Sequence, residues 1–437
     1  MKFMRNLHQF MMAGARAQAR WELEISNTIL RSRRRLAIIG LLLLPIIFGG
    51  IAFADNVGGA LPAFIGGKSA YGPSHYTNLI FGASILVGLC AGLITGCIGA
   101  GGGFIIAPAL MSVGVKGILA VGTDLFHIFA KAIMGSVLHR KMGNIAVALA
   151  ATFLIGAISG STLGGYINRA LYEKNPVLSD MFITVIYVLM LGFLAFYALS
   201  DWYRTLRRKN AAADVAESSG PQAEEIPPIG KMVQSINLPP MLTFDQGVTP
   251  GGRKISAFFL VIAGFIVGLA AAIMGVGGGF LTFPIFVYGL GVSSMTTVGT
   301  DIFQIVFTAG YGSITQYAVY GFIFYTLAMG MLLGSLIGIQ IGSIVTKVVS
   351  GTTICAFYAV TVSAGFFNRA CALPEKMMKM GYIDVSPQLL KLLNIVGTFG
   401  FFIIIIIFAV WVFWSFFTNL KVLRAEEVHE SWETQNN

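Results

Sequence analysis

Charge is scarce in this chain. Of its 437 residues, 11% are Asp, Glu, Lys or Arg, against about a quarter in an ordinary soluble domain. Too few polar side chains remain to cover a water-soluble surface. A soluble enzyme, a nucleic-acid-binding module and a disordered scaffold are therefore poor fits. Cysteine is scarce as well. Of Cys90, Cys97, Cys355 and Cys371, the first three lie in apolar runs without metal-ligand spacing and read as small packing residues. No HExxH zinc helix, Walker loop or G-x-S-x-G elbow occurs, so no catalytic set, metal, cofactor or ATP coupling is expected.

What the chain has instead is apolar bulk. Hydrophobic residues make up 56% of it, the mean hydropathy is +0.79, and 53 residues are Gly, a residue more frequent in membrane helices than in soluble ones. Lipid is the indicated solvent. The net charge of +10 does not point to nucleic acid, because the basic residues flank apolar runs and form no basic domain. Loop charge of that kind records membrane orientation.

A spanning helix needs about 20 mostly apolar residues. Residues 1–35 form a basic arm, in which Phe3, Leu7, Phe10 and Trp21 interleave with basic residues in the manner of an interfacial helix. Residues 36–54 read as a first transmembrane helix; Ala52-Phe53-Ala54 resembles a signal cleavage site, but the leader before it is too long. Apolar runs then fill 78–200. The stretch 201–254, with six prolines and scattered Glu, reads as a partly disordered cytoplasmic linker. Further runs fill 255–370. A loop over 371–391, a last helix over 392–418 and a tail over 419–437 complete the expected order.

The two halves repeat. Gly99-Ala100-Gly101-Gly102-Gly103-Phe104 matches Gly275-Val276-Gly277-Gly278-Gly279-Phe280, Pro108 matches Pro284, and Val121-Gly122-Thr123-Asp124 matches Val298-Gly299-Thr300-Asp301. Gly156, Gly160 and Gly164 match Gly334, Gly338 and Gly342; their spacing of four puts each set on one helix face, as close packing requires. If each Gly-rich element is a re-entrant hairpin followed by three crossings, the odd number inverts the second repeat. The expected fold is thus an all-α polytopic membrane protein with two inverted repeats and one extra helix at each end. That order gathers about 20 of the 29 basic residues on the cytoplasmic side, with the N-terminus.

Two groups of residues stand out inside the apolar runs. Three consecutive Gly, each costing about 1 kcal/mol relative to Ala in a helix, disfavour continuous helix at Gly101-Gly102-Gly103 and Gly277-Gly278-Gly279. Broken backbone in lipid must be buried in protein or line a cavity. Phe104 and Phe280 then open short helices whose N–H groups suit an anion; a tight Gly crossing is the other reading. The second group is ionisable. Asp124, His127 and Lys131 share one face at offsets 0, 3 and 7, and Asp301, Gln304 and Thr308 repeat those offsets. One reading makes His127 and Lys131 hosts for an anion and the Asp pair a proton-coupling site. The other makes Asp124 and Asp301, each following Thr, helix caps, with Lys131 neutralising Asp124. Thr95, Ser136, His139, Arg140, Asn144, Gln316 and Gln340 form a minor polar set.

The doubled Gly-x-Gly-Gly-Gly-Phe run, the Pro four residues on and the Val-Gly-Thr-Asp segment resemble the sulfite exporter TauE/SafE family of permeases over roughly Leu79 to Gly365. The resemblance implies secondary transport of small sulfur-containing or organic anions across a bacterial or archaeal inner membrane. Its motif positions here are Gly99, Gly101, Gly102, Gly103, Pro108, Thr123 and Asp124, and Gly275, Gly277, Gly278, Gly279, Pro284, Thr300 and Asp301. The expected partners are a small anion and the lipid bilayer. Thr123 and Thr300 join the Gly-rich turns, Phe104, Phe280, His127 and Lys131 in the expected binding set, with Asp124 and Asp301 for coupling. A passive anion channel and, less aptly, a membrane-embedded enzyme or assembly protein are the rival readings.

Overall fold

The computed structural model describes residues 78–98, 102–141, 146–211, 228–245, 252–345, 348–349 and 351–419. The basic arm, the expected first transmembrane helix and nearly all of the tail lie outside them. The first half comprises α1 (Asn78–Ile98), α2 (Gly103–Ser112), α3 (Gly117–Lys141), α4 (Val147–Lys174) and α5 (Pro176–Ala211). A short α6 (Pro228–Ser235) and the antiparallel strands β1 (Met241–Phe244) and β2 (Arg253–Ser256) link it to the second half. There follow α7 (Ala257–Met274), α8 (Gly279–Pro284) with a π-helical turn over Ile285–Gly289, α9 (Ser294–Tyr311), α10 (Tyr325–Val345), α11 (Gly351–Lys379) and α12 (Pro387–Thr418). Among the described residues, α4, α5, α7, α10 and α12 contain segments long and apolar enough to cross a membrane.

Both Gly-rich elements have the same build. A long helix (α1, 21 residues; α7, 18 residues) stops at the glycines, and a helix of 10 or 6 residues resumes after them. At 1.5 Å per residue the long arms measure about 30 Å and the short ones about 15 Å or less.

The halves are interlocked. The glycine face of α10 lies on α1, and that of α4 lies on α7. A methyl group added at Gly88, Gly92 or Gly96 would strike the backbone of Met331, Ser335 or Ile339 in turn. One added at Gly156 or Gly160 would strike Val261 or Phe265. Positions increase together on both helices, so each pair runs in one direction. Helices α5 and α11 run oppositely, since Asp180 meets Lys376 while Gly192 meets Phe366. The packing role expected of Gly156, Gly160 and Gly164 and of Gly334, Gly338 and Gly342 holds at the α4–α7 and α1–α10 crossings. The physical reason is that helices in lipid gain little from the hydrophobic effect and associate by close van der Waals contact.

Three expectations need correction. The stretch 371–391 is not a loop. Helix α11 continues through Cys371 to Lys379, and α12 begins at Pro387, the favoured first position of a helix. The linker is more ordered than its composition indicates: α5 carries on to Ala211, and residues 228–245 and 252–256 dock on the second half. Phe244 and Ile255 enter a core with Phe153 and Phe286. That strand pair also makes the described fold not purely α-helical.

The Asp245 carboxylate anchors this docked segment. It accepts from the Ser293 amide at 2.9 Å and its hydroxyl at 2.7 Å, with Arg253 at 3.6 Å. Gln234 and Arg253 donate to the carbonyls of Leu290 and Gly291 beside it. Asp245→Ala is therefore expected to lower stability by about 1–3 kcal/mol, because it strands two buried donors. Thermal unfolding of the purified protein in detergent checks this; an unchanged melting temperature would contradict the anchoring role.

Candidate functional site

The two Gly-rich breaks meet. A methyl group at Gly103 would lie 3.1 Å from the Val276 Cα and 3.1 Å from Cδ1 of Ile128, a residue of α3. The same Ile128 closes on Gly277. Gly275, Gly277 and Gly278 have φ of 79°, 70° and 84°, a conformation that glycine adopts without a Cβ penalty. Gly102 and Gly103 are buried, Gly279 is half-buried, and Gly101 lies outside the described residues. Phe104 is buried with its ring edge-on to Tyr358 at 6.1 Å. Phe280 occupies the first turn of α8.

Broken helices leave carbonyl and amide groups without helical partners, and the chain supplies them locally. Asn168 Nδ2 donates to the carbonyls of Ala272 and Ile273, Tyr317 to that of Ala272, and Tyr187 to that of Met274. All three side chains come from outside α7. On the other break, the Gly102 amide donates to Thr95 Oγ1 at 2.7 Å, so that N–H is already engaged. The motif threonines have a matching task. Thr123 accepts the Phe324 amide just before α10, and Thr300 accepts the Ala146 amide just before α4, each across the repeat boundary.

Asp124 sits two turns inside α3, and Asp301 two turns inside α9, so neither caps a helix start. The cap of α9 is Ser293, whose side chain accepts from Thr296. The carboxylates have unequal surroundings. Asp301 Oδ1 accepts from Gln304 Nε2 at 2.8 Å, and Gln304 Oε1 accepts from Thr308 at 2.7 Å, a relay along one helix face. Its Oδ2 lies beside Gly279. Asp124 is fully buried, and neither of its oxygens has a hydrogen-bond partner among the described residues. The Ala107 amide of α2 lies nearby, outside hydrogen-bond geometry. His127 Nε2 shares a 2.9 Å hydrogen bond with Ser335 of α10, while its Nδ1 faces Asp124 Oδ1 at 3.6 Å, too far for a hydrogen bond. Lys131 is half-buried on the same face, within electrostatic reach of Asp124. Buried polar atoms are nearly always hydrogen-bonded. The Asp124 carboxylate and His127 Nδ1, beside the half-helix α2, are exceptions to that rule among the described residues.

The sequence reading missed Asn168, Tyr187, Tyr317 and Ser335. Asn168 ends an apolar run and was legible as a polar residue at depth; the tyrosines and the serine carry no such mark. Of the minor set, Thr95 is a partner of the break. Gln316 receives Arg169 through its backbone oxygen at 2.7 Å and Oε1 at 2.8 Å. Asn144 lies outside the described residues.

Residues 84–368, about two thirds of the chain, match the family described as sulfite exporter TauE/SafE. A probable membrane transporter protein of Bacillus subtilis, YjnA, is 27% identical over 59% of this chain and 87% of its own length. A second from that organism, YunE, is 23% identical over 62% of this chain and 90% of its own. A sulfite exporter TauE/SafE family protein of Arabidopsis thaliana is 31% identical over 25% of this chain and 28% of its own. No solved structure matches the chain. With its family match, its apolar helices and its paired breaks, the chain belongs to the sulfite exporter TauE/SafE family and is a multi-pass membrane transporter.

Proposed function

We propose that the protein is a secondary transporter for a small oxyanion, sulfite or an organosulfonate, built from two inverted repeats in a bacterial inner membrane with its N-terminus in the cytoplasm. The observation that carries this reading is the open Asp124–His127 pair beside two Gly-rich breaks that meet through Ile128. Discontinuous helices at matching places in two repeats are where transporters bind substrate. The first turns of α2 and α8 offer backbone N–H groups to the anion, and Lys131 and His127 add charge. Asp124 takes and returns a coupling proton; Asp301, tied to Gln304, serves as its fixed counterpart in the other repeat. Thr123 and Thr300 join each repeat to the start of the other's fourth helix, α10 or α4, so that movement of one repeat re-aims the other's break.

The helix directions support the inverted arrangement. If α1 descends, short turns make α2 ascend, α3 descend and α4 ascend. Helix α7, which runs with α4, then ascends against α1. Reporters fused after Lys209 and near Glu375 are expected on opposite sides of the membrane; the same side for both would remove the inverted arrangement. The centre, closed by Ile128 and Val276 against the glycines, suits alternating access better than an open pore.

Reconstituted protein is expected to exchange labelled sulfite across vesicles, with uptake driven or slowed by an imposed pH gradient. Resolved unitary currents in planar bilayers would instead make it a channel. Absence of flux for sulfite, sulfoacetate and taurine alike would remove the substrate class.

A further inference from the structure

A deeply buried cation lies away from the breaks. Arg369 of α11 is 2% exposed, and the partners of its guanidinium are neutral: Asn368 Oδ1 from Nε at 2.7 Å and from Nη2 at 2.5 Å, and Ser112 Oγ from Nη2 at 2.5 Å. No carboxylate lies within 4 Å of it among the described residues. The carboxylate within electrostatic reach, Asp180, is engaged elsewhere, at 2.7 Å by the Gly117 amide and at 3.4 Å by Lys376. Arginine is almost never fully buried without a paired charge, because desolvating it is costly. The surrounding geometry holds the group in place. Asn368 Nδ2 donates to the Gly397 carbonyl of α12, and the Ser112 hydroxyl bonds both Asn368 Oδ1 and the Pro108 carbonyl. Asn368 and Ser112 take Nε and Nη2 and fix the group without neutralising it, so its charge and the Nη1 side are left to suit an oxyanion.

The position is equally specific. Ser112 ends the half-helix α2, and the turn after it, Val113 to Lys116, is largely exposed. Arg369 therefore lies one side chain beneath the surface, at the far end of the same half-helix whose first turn adjoins Gly102. Tyr187, which seals the end of α7, lies within electrostatic reach of both Arg369 and Asp124.

We propose that Arg369, held by Asn368 and Ser112, is an anion-recognition site at the mouth of the pathway, which takes a small oxyanion before it reaches the Gly-rich breaks. The lack of a carboxylate beside it is then functional, since an internal carboxylate would neutralise the guanidinium. The inference rests on the anion-transport reading above.

Asn368→Asp tests it directly. The substitution keeps the shape and places a carboxylate where the fork already points. A merely structural Arg369 would be better satisfied, with oxyanion handling unchanged. The proposal expects a folded protein of equal or higher melting temperature, a rise of about tenfold or more in KM for labelled sulfite exchange, and a kcat changed much less. It also expects the melting-temperature rise that sulfite or sulfate gives the wild type to be lost. Arg369→Lys, a point charge without the fork, is expected to fall between. If Asn368→Asp does not fold, Ser112→Asp, entering from the half-buried end of α2, is expected to raise KM likewise. A folded Asn368→Asp or Ser112→Asp protein with wild-type KM and wild-type sulfite shift overturns the role of Arg369 and leaves the transport reading intact. A wild type with neither flux nor thermal shift for any oxyanion overturns both.

Discussion

Gly338→Val is expected to yield no folded protein. A Cβ at this position would run into the backbone oxygen of Leu89 and stand 2.7 Å from the Leu93 nitrogen. Neither atom is the end of a flexible side chain, so the crossing of α1 and α10 must open along its whole length. Overpacking a well-filled core costs about 1–3 kcal/mol where side chains can yield. Here the backbone itself must move, and the crossing is one of two that interlock the halves. Gly334→Val, against Ile85, and Gly160→Val, against Phe265, belong to the same class. Gly82→Ala and Gly400→Ala are the controls: nothing lies within 4 Å of an added methyl, and Ala in a helix is better by about 0.5–1 kcal/mol. Size-exclusion profiles of detergent-solubilised fluorescent fusions separate the two groups. A monodisperse Gly338→Val protein with wild-type melting temperature would show that the crossing is not tight.

Asp124→Asn is expected to act in two opposite directions. Transport falls by roughly 100-fold, the scale on which loss of one preorganised group acts at a functional centre. Stability rises, because a fully buried carboxylate without a hydrogen bond is replaced by a neutral amide of the same shape. Function held at the expense of stability is common at such centres. The repeat partner supplies the contrast. Asp301→Ala removes the 2.8 Å bond from Gln304 Nε2, which keeps only a long 3.5 Å contact to Thr282, and is expected to lower stability by about 1–3 kcal/mol. Melting temperatures of both variants, read beside sulfite flux in vesicles, decide the matter. If Asp124→Asn is destabilised, or retains full flux, the open carboxylate is not the coupling group.

The glycine substitutions that first suggest themselves at the breaks make poor probes of transport. At Gly102 an added methyl would stand 2.7 Å from the Ala91 carbonyl, and at Gly278 any side chain would face φ of 84° and Val267 at 2.7 Å. A lost activity there would report broken packing. Asp124, His127 and Asn368 are replaceable without that confusion.

Much of the fold was legible because it rests on short-range features. The doubled Gly-rich element, the Pro after it and the Thr-Asp pair lie at fixed spacing, and a glycine triplet interrupts a helix wherever it falls. Spacing of four put Gly156, Gly160 and Gly164 on one face, and that face is a crossing. The loop expected over 371–391 failed for a reason of the same kind: Glu375, Lys376 and Lys379 look like loop charge. In the structure they stand on helical turns and pair with Lys379, Asp180 and Glu375 respectively. The order within 228–245 and 252–256 was not legible because Leu242, Phe244 and Ile255 find their core with Phe153 of α4 and Phe286 of the second half.

The candidate site divides similarly. Sequence spacing alone determined that Asp124, His127 and Lys131 share a face, that Asp301, Gln304 and Thr308 repeat it, and that two helices break. It also determined that the solvent is lipid, since 11% charge cannot cover a soluble surface. Only the tertiary structure decided which polar groups are already satisfied. Thr123 and Thr300 turn out to hold the other repeat's backbone, Asp301 is bound, Asp124 is open, and Arg369 lacks a carboxylate. Apart from Asp301, whose partner Gln304 is on the same helix face, that distinction depends on residues distant in sequence, such as Phe324 for Thr123 and Ser112 for Arg369. Hydrogen-bond satisfaction is a property of packed neighbours, and no local pattern of residues carries it.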